Sequence, residues 1–263
     1  MKPIANKEIT SLNNPEYKFL ISLKKNKNRK SLKKSITEGF RENIQLLNSN
    51  NSIDTLYICE EYFIGENNLN LVDQFLEKKI RLVRVTSNVF SNISYRDRPD
   101  GFISVFNVNK LQFPNNINGP TLIPDQIEKP GNLGTMIRTA KSFGINNILL
   151  SDEITDIYNP NVIRSSIGHV FTMNIVSGSN QQIINLLLKN NYQILLLDPD
   201  GEIHLENFKP NQNFALVVGA EQYGISKNWY EIENTSLYIR STNNVDSINA
   251  STAAAIGMWE LTK

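Results

Sequence analysis

The chain has 263 residues, of which 40% are hydrophobic and 20% charged, and its formal net charge is +1 at pH 7. This length fits one large domain or two small ones, and the composition is ordinary for a globular protein. No apolar run approaches the roughly 20 residues of a membrane-spanning helix, and the N-terminus does not resemble a signal peptide. We therefore expect a cytoplasmic protein. One cysteine and two histidines exclude a disulfide within the chain and predict no metal site.

Positive charge is concentrated near the N-terminus. Residues 1–44 hold eleven Lys or Arg and four acidic residues, whereas the rest of the chain is net acidic. The densest run of basic residues, with no acid among them, consists of Lys24, Lys25, Lys27, Arg29, Lys30, Lys33 and Lys34. Such a run can neutralise phosphates and release counterions, which favours nucleic-acid binding. A solvated loop without a ligand would have the same composition.

The first hundred residues predict a small α/β unit. Three segments have helical periodicity: 15–23, 41–47 and 69–77. Three apolar runs favour strands: 54–59, 80–85 and 102–108. Together these elements predict an independent domain over residues 1–108. The next segment, 109–120 (NKLQFPNNINGP), is polar with Pro and Gly, and it predicts a linker.

The remaining residues, 121–263, predict a second and more regular domain. Apolar runs without polar alternation favour buried strands at 121–123, 147–151, 193–197, 214–219 and 237–240. Helical patterns lie between them, at 181–189 and 251–261 and after the turn at residues 130–131. Buried strands interleaved with helices indicate a parallel sheet that is covered on both faces. Ligands of such sheets bind beyond the C-terminal ends of the strands.

The segment EKPGNLGTMIRTAKSFG, residues 128–144, predicts a turn followed by a helix. We expect Asn132 to cap this helix and Gly144 to end it. The expected buried stripe consists of Leu133, Met136, Ile137 and Ala140. That stripe would leave Arg138 on the exposed face. The segment is neither a P-loop nor a GxGxxG turn.

Two further polar clusters lie next to predicted elements of the second domain. The sequence VVGAEQYGIS, 217–226, puts small residues and Glu221 at the end of a strand, where backbone groups can approach a ligand closely. The sequence DSINAS, 246–251, directly precedes the last predicted helix. Asn249 or Ser251 can cap that helix, and the same side chains could hydrogen-bond a polar ligand.

The order of these motifs resembles that of the SpoU (TrmH-like) branch of the SPOUT superfamily. NLGxxxR, GAExxGIS and SINAS follow one another between about residues 122 and 261, and RSSIGHVF at 164–171 is similar to a further signature of that branch. Its members are S-adenosylmethionine-dependent RNA 2′-O-ribose methyltransferases. At the N-terminus, SLNNPEYK (11–18) and TEG (37–39) resemble the L30e-like substrate-binding domain that many relatives carry.

The resemblance implies an open parallel-sheet α/β domain with a trefoil knot, preceded by a small L30e-like α/β domain. It also implies S-adenosylmethionine as the cofactor and a homodimer whose site lies near the subunit interface. Ribosomal RNA is the expected substrate because dedicated transfer-RNA enzymes often carry other extensions, and transfer RNA is the alternative. From other classes, a non-catalytic RNA-binding relative and a small-molecule enzyme on a similar sheet also fit the pattern.

The resemblance also implies residue roles. Catalytic positions match Asn132, Arg138, Glu221, Ser247 and Asn249. Cofactor-binding positions match Leu197, Gly219, Ala220, Ile239 and Ile248, and RNA binding is expected of the basic run in the first domain. Arg138 is expected to orient the ribose hydroxyl and stabilise its charge, because a guanidinium stays protonated. The family usually has Pro-Met where this chain has Arg240-Ser241, which predicts a looser loop around the adenine.

Overall fold

The computed structural model describes residues 7–108, 112–240 and 248–263. The chain divides into two compact units. The first comprises Met1–Lys110 together with Tyr158–Thr172, and the second comprises Leu111–Ile157 together with Met173–Lys263. A short segment from the second half of the sequence therefore packs with the N-terminal unit.

The elements alternate along the chain. The strands are β1 (Glu8–Ile9), β2 (Lys34–Glu38), β3 (Ile53–Ile58), β4 (Arg81–Val85), β5 (Phe102–Asn107), β6 (Thr121–Pro124), β7 (Asn147–Ser151), β8 (Asn174–Gly178), β9 (Gln193–Leu197), β10 (Ile203–His204), β11 (Phe214–Val218) and β12 (Thr235–Tyr238). The helices are α1 (Pro15–Ser22), α2 (Asn26–Leu32), α3 (Phe40–Leu47), α4 (Asn68–Glu77), α5 (Ser87–Ile93), α6 (Pro130–Ser142), α7 (Pro160–Ser165), α8 (Asn180–Lys189) and α9 (Ala250–Thr262). Short 3-10 helices lie at Glu60–Tyr62, His169–Phe171, Leu205–Asn207 and Lys227–Trp229.

The first unit contains a mixed five-stranded sheet in the order β1-β4-β3-β5-β2. β1, β4 and β3 are parallel, and β5 runs antiparallel to β3 and β2. Alternate residues of β3 enter two different hydrophobic clusters because successive side chains of a strand point to opposite faces. Tyr57 packs in the cluster that holds residues of α1 and α5, and Leu56 and Ile58 pack in the cluster of α3 and α4.

The second unit contains a seven-stranded parallel sheet in the order β10-β12-β9-β11-β6-β7-β8. Every residue of the central strand β11 is buried, as its uninterrupted apolar sequence predicts. Residues of α8 and the fully buried Trp229 share one hydrophobic cluster with the sheet, whereas α9 contacts α6, β9 and β11. The predicted α/β fold with a parallel C-terminal sheet and a small N-terminal unit is confirmed.

The ends of α6 and α9 differ in how well the sequence predicts them. α6 begins at Pro130, with Lys129 at the N-cap, so the prediction that Asn132 caps this helix is wrong. Proline suits the first helical position because its missing N–H needs no partner there. Gly144 ends the helix as predicted, with φ +76°, and Ile145 N–H donates to Ala140 O at 2.9 Å. Asn249 caps α9, which confirms one of the two predicted caps.

Gly257 looks unfavourable in the sequence because it lies within a helix. In the structure it lets α9 approach the sheet: a Cβ at this position would lie 3.1 Å from Leu216 Cδ2 and 3.2 Å from Leu197 Cδ2. Gly257 thus allows α9 to pack closely against β9 and β11. Within the described residues, no helix is long and apolar enough to cross a membrane.

Glu16 connects α1 to the sheet of the first unit. Arg81 donates two hydrogen bonds to its carboxylate, at 2.9 and 3.2 Å, Tyr57 OH donates at 3.2 Å, and Lys7 forms an ion pair with it. The Arg81 hydrogen bonds, aided by Lys7 and opposed by partial burial, lower the pKa of Glu16 from 4.5 to about 2. A carboxylate with a depressed pKa stabilises the folded state above the pKa of the unfolded chain.

We expect Glu16→Gln to lower the midpoint of urea unfolding at pH 7 and to have progressively less effect as the pH falls from about 4.5 towards 2. Glutamine cannot ionise, so the variant lacks the stabilisation that the wild type loses on protonation. Unfolding curves recorded between pH 3 and 7 measure the difference. Glu8→Gln, at an exposed glutamate of the same unit, is the matched control. A difference between Glu16→Gln and wild type that stays constant across this range would contradict the ion-pair explanation.

Candidate active site

A cavity of about 850 Å³ lies at the C-terminal edge of the second unit's sheet. Its walls come from the ends of β9, β11 and β12, from the turn after β11, and from the first half of α9. This volume falls within the range of roughly 300–1,000 Å³ that small-molecule sites occupy. The position is the one where parallel α/β sheets bind ligands.

The structure brings all five predicted cofactor-binding residues to this one cavity. They are Leu197, Gly219, Ala220, Ile239 and Ile248. Glu221 and Arg240 also line it, so the Arg240 that replaces the usual proline contributes a cation to the wall. Ser247 and Ser241 lie outside the described residues.

Gly219 permits the tight turn that forms one wall. A Cβ at this position would overlap the backbone of Gly224 and Ile225. The turn is closed by a hydrogen bond from Gly224 N–H to Ala220 O at 2.9 Å, and Gly224 has φ +67°, in the region that favours glycine. The wall at this point therefore consists mainly of backbone groups, which can approach a ligand closely.

The buried carboxylate of Asp125 holds that turn in place. Ser226 donates both its N–H, at 2.8 Å, and its hydroxyl to Asp125 Oδ2. Ser151 Oγ, at the end of β7, donates to Asp125 Oδ1 at 2.6 Å. Asp125 belongs to none of the predicted motifs, although an acid that directly follows the apolar run TLIP indicates a strand end with a polar role.

The three sequence motifs meet beside the cavity through one amide. Asn132 Nδ2 donates to Glu221 Oε1, and Asn132 Oδ1 accepts from Asn249 Nδ2 at 3.1 Å and from Ser251 Oγ at 3.5 Å. Lys129 Nζ adds an ion pair to Glu221 at 3.4 Å. Three of the predicted catalytic residues, Asn132, Glu221 and Asn249, thus form one network. The Asn132 amide is held on both sides, so it acts as a connector between motifs.

Arg138 lies elsewhere on α6. Its side chain is on the exposed face, opposite the buried stripe that the sequence predicts. Arg138 lies six positions after Asn132, which corresponds to about 9 Å of helix rise. Arg138 does not line the cavity, and its guanidinium makes no hydrogen bond or ion pair with the part of the chain that the structure describes. It is free to meet a ligand or another chain.

The residues of the predicted RNA-binding run differ in how far their side chains are exposed. Lys25, Lys27, Lys30 and Lys33 are exposed on or beside α2. Lys34 forms an ion pair with Asp54. Lys24 Nζ lies 4.7 Å from the centre of the Tyr95 ring, and partial burial lowers the pKa of this lysine.

Arg29 differs from the rest of the run because its side chain is buried. Its Nη1 donates to the carbonyls of Leu23 and Lys24, each at 3.1 Å. Arg29 is therefore not accessible to an RNA phosphate in this conformation.

Among the described residues of both units, no group of His, Cys, Asp or Glu side chains could hold a metal ion.

The fold and the cavity define a ligand-binding parallel α/β protein, and comparison with known proteins identifies its family. The model of the SpoU rRNA Methylase family matches residues 120–259, and that of the MRM3-like substrate binding domain matches residues 14–104. The chain belongs to the SpoU rRNA methylase family. This family uses S-adenosylmethionine, so the predicted resemblance and cofactor are confirmed, as is the predicted class of RNA methyltransferase. The trefoil knot stays a prediction.

Similar proteins support the family assignment over both units. The chain is 25% identical to the 23S rRNA (guanosine(2553)-2′-O)-methyltransferase RlmP of Bacillus subtilis, over 97% of this chain and 99% of that one. A solved RNA 2′-O ribose methyltransferase is 28% identical, with a TM-score of 0.83 over 96% of this chain and 97% of that one. An AdoMet-bound rRNA methyltransferase from Sinorhizobium meliloti has the same fold, with a TM-score of 0.85, 24% identity and coverage of 97% and 96%.

We expect Gly219→Ala to weaken binding of S-adenosylhomocysteine by about tenfold or more, because the added methyl group displaces the backbone of the turn in a close-packed wall. Calorimetric titration of the full-length chain measures the affinity. Gly131→Ala is the matched control, since a Cβ at Gly131 meets no atom within 4 Å. Equal affinities of Gly219→Ala and wild type would exclude this turn from the cofactor site.

Proposed function

We propose that this protein methylates the 2′-hydroxyl of a ribose in ribosomal RNA, with the cofactor in the cavity at the edge of the second sheet. The observation that carries the proposal is the Asn132–Glu221–Asn249 network, which joins the three family motifs beside that cavity. The cavity is large enough for a nucleoside, and it has a backbone wall at Gly219 and apolar residues such as Leu197 and Ile248. These features fit the adenosine part of S-adenosylmethionine.

The chemistry requires alignment more than acid–base catalysis. When bound, the cofactor supplies a methyl carbon attached to a positively charged sulfur, and the ribose oxygen must approach that carbon in line. The network around Asn132 fixes the turn after β11 relative to the starts of α6 and α9. We infer that Glu221 and Asn249 orient the ribose.

Arg138 supplies the positive charge in this proposal. Its guanidinium is a cation, so it stabilises the negative charge that develops on the 2′-oxygen while the hydroxyl proton leaves to solvent and the sulfur departs as neutral S-adenosylhomocysteine. Arg138 does not line the cavity of its own chain. A homodimer would allow Arg138 of one protomer to lie beside the cavity of its partner.

We expect Arg138→Ala to reduce the rate of RNA methylation by about 100- to 1,000-fold, the usual effect of removing a group that stabilises a developing oxyanion. Binding of S-adenosylhomocysteine should be unchanged. Transfer of labelled methyl groups to ribosomal RNA that lacks this modification measures the rate. Lys141→Ala, an exposed cation on the same helix, is the control and should retain activity.

The outcomes separate the competing functions. Full activity of Arg138→Ala would remove this arginine from the mechanism. Preferential methylation of transfer RNA would replace the substrate. Failure of the wild type to bind the cofactor would favour the non-catalytic RNA-binding alternative.

We also propose that residues 1–108 recognise the RNA and that residues 109–120 link them to the methyltransferase domain at 121–263. The match of residues 14–104 to a substrate-binding family supports this division. Within the basic run, Lys25, Lys27, Lys30 and Lys33 are exposed and can contact phosphates, whereas Arg29 bonds carbonyls inside the unit. Lys24 and Lys34 are half-buried and have partners within the chain.

We expect Lys27→Ala combined with Lys30→Ala to weaken RNA binding and to reduce the slope of log affinity against log salt by about 1 for each lysine. Filter binding of an rRNA fragment at salt concentrations from roughly 50 to 300 mM gives this slope, because counterion release changes the affinity strongly over that range. Lys189→Ala combined with Lys209→Ala removes the same charge from exposed positions of the second unit. The same reduction in both double variants would show a general charge effect and exclude α2 as a specific contact.

We further infer that the protein is a cytoplasmic homodimer. Its α9 helix exposes Ile256 and Trp259, at 37% and 53% of their surfaces, and Ile256 also lines the cavity. An apolar helix face next to the site supports a subunit interface there. Sedimentation analysis tests the oligomeric state, and a monomer at micromolar concentration would contradict it.

A further inference from the structure

The cavity has an acidic wall that the family motifs do not include. Asp198 directly follows β9 and lines the cavity together with Tyr230. Its backbone is fixed by two hydrogen bonds, from Asp198 N–H to Leu237 O at 2.9 Å and from Gly201 N–H to Asp198 O at 3.1 Å. The carboxylate therefore stands on a rigid turn at the C-terminal end of a parallel strand.

Each oxygen of the Asp198 carboxylate already accepts one hydrogen bond. The Asp200 N–H donates to Oδ1 at 2.9 Å, and the Tyr230 hydroxyl donates to Oδ2. Burial and the neighbouring Asp198 raise the pKa of Tyr230, so the phenol stays protonated and remains a donor. Tyr230 directly follows the fully buried Trp229, which ends the short 3-10 helix Lys227–Trp229 and fixes the position of Tyr230.

The carboxylate has acceptor capacity left over. A carboxylate offers about four acceptor sites, and the contacts to Asp200 and Tyr230 use one on each oxygen. Among the residues that the structure describes, no Lys, Arg or His forms an ion pair with Asp198. The remaining sites, one on each oxygen, match a ligand group that presents two adjacent neutral donors.

A ribose diol is such a group. We propose that Asp198 binds the 2′- and 3′-hydroxyls of the cofactor's adenosine, and that Tyr230 is a positioning residue that holds the carboxylate in place. An acid at the end of a parallel strand binds ribose hydroxyls in other nucleotide-binding α/β proteins. Leu197 precedes Asp198, and Gly219 follows the neighbouring strand β11, so the acid lies beside the positions proposed for the adenosine.

This inference rests on the proposed function, since it assigns part of the proposed cofactor site. The quantity to measure is therefore the preference of the protein for a nucleoside with both ribose hydroxyls. Adenosine, 2′-deoxyadenosine and 3′-deoxyadenosine differ only in the two hydroxyls, so their relative affinities report on the diol. Displacement of S-adenosylhomocysteine from the full-length chain, followed by calorimetry, gives these affinities without requiring turnover.

We expect wild type to bind adenosine about tenfold or more tightly than either deoxynucleoside, the effect of losing one hydrogen bond to a charged acceptor. In Asp198→Ala, the preference should fall below about threefold, within the range of a weak neutral contact. Asp198→Asn keeps one acceptor oxygen and Tyr230→Phe removes the positioning contact, so both should give intermediate preferences. Asp200→Ala is the matched control, because Asp200 contributes only its backbone N–H; it should keep the wild-type preference.

Two results would overturn the inference. Wild type could bind S-adenosylhomocysteine without distinguishing the three nucleosides. Asp198→Ala could keep the full preference, and an equal loss of affinity for all three nucleosides in that variant would indicate a general charge or folding effect. Absence of S-adenosylhomocysteine binding to wild type would instead overturn the proposed function itself. Thermal unfolding of each variant identifies any loss of folded protein.

Discussion

The cavity depends on the buried carboxylate of Asp125. A buried charge is tolerated only when hydrogen bonds replace its hydration, and here Ser151 and Ser226 supply them. These donors come from the end of β7 and from the turn after β11, while Asp125 N–H donates to Val218 O at 2.9 Å. One side chain thus joins the ends of three strands. The turn that contains Gly219 follows directly, so the shape of the cavity wall is a consequence of this junction.

The position of the first residue of α6 decides what Asn132 can do. Had the helix begun after Asn132, its side-chain oxygen would be occupied by a backbone N–H of the first turn. Because Pro130 begins the helix, Asn132 lies within the first turn and its amide is available. It then bridges Glu221 and Asn249. The contact between Asn132 and Asn249 spans 117 residues of sequence. Pro130 and Asn132 therefore act together. The proline sets the start of the helix, and the asparagine amide can then contact two loops that are distant in sequence.

The sequence predicts the parts of the fold whose apolar pattern is strong. The buried strands β7, β9 and β11 and the helix α8 are confirmed almost to the residue. β2 was missed because its sequence KSITE is polar, and its buried Ser35 and Thr37 have no local signal. α2 was missed because NKNRKSL has no apolar stripe. The predicted cofactor residues do gather at one cavity, but Asp125 and the Asp198–Tyr230 pair depend on which strands are neighbours, and no motif spacing contains that information.

Charge patterns have the same limitation, and Arg29 shows why. α1 ends at Ser22, and the last carbonyls of a helix lack partners within the helix. The Arg29 guanidinium reaches back to the carbonyls of Leu23 and Lys24, just past that end, where a cation is favoured by the helix dipole. Lys27 and Lys30 are three residues apart on α2, a spacing that places side chains on one face of a helix, and both are exposed. The basic run therefore combines two features: a buried arginine that bonds carbonyls just past the end of α1, and lysines that remain exposed to solvent.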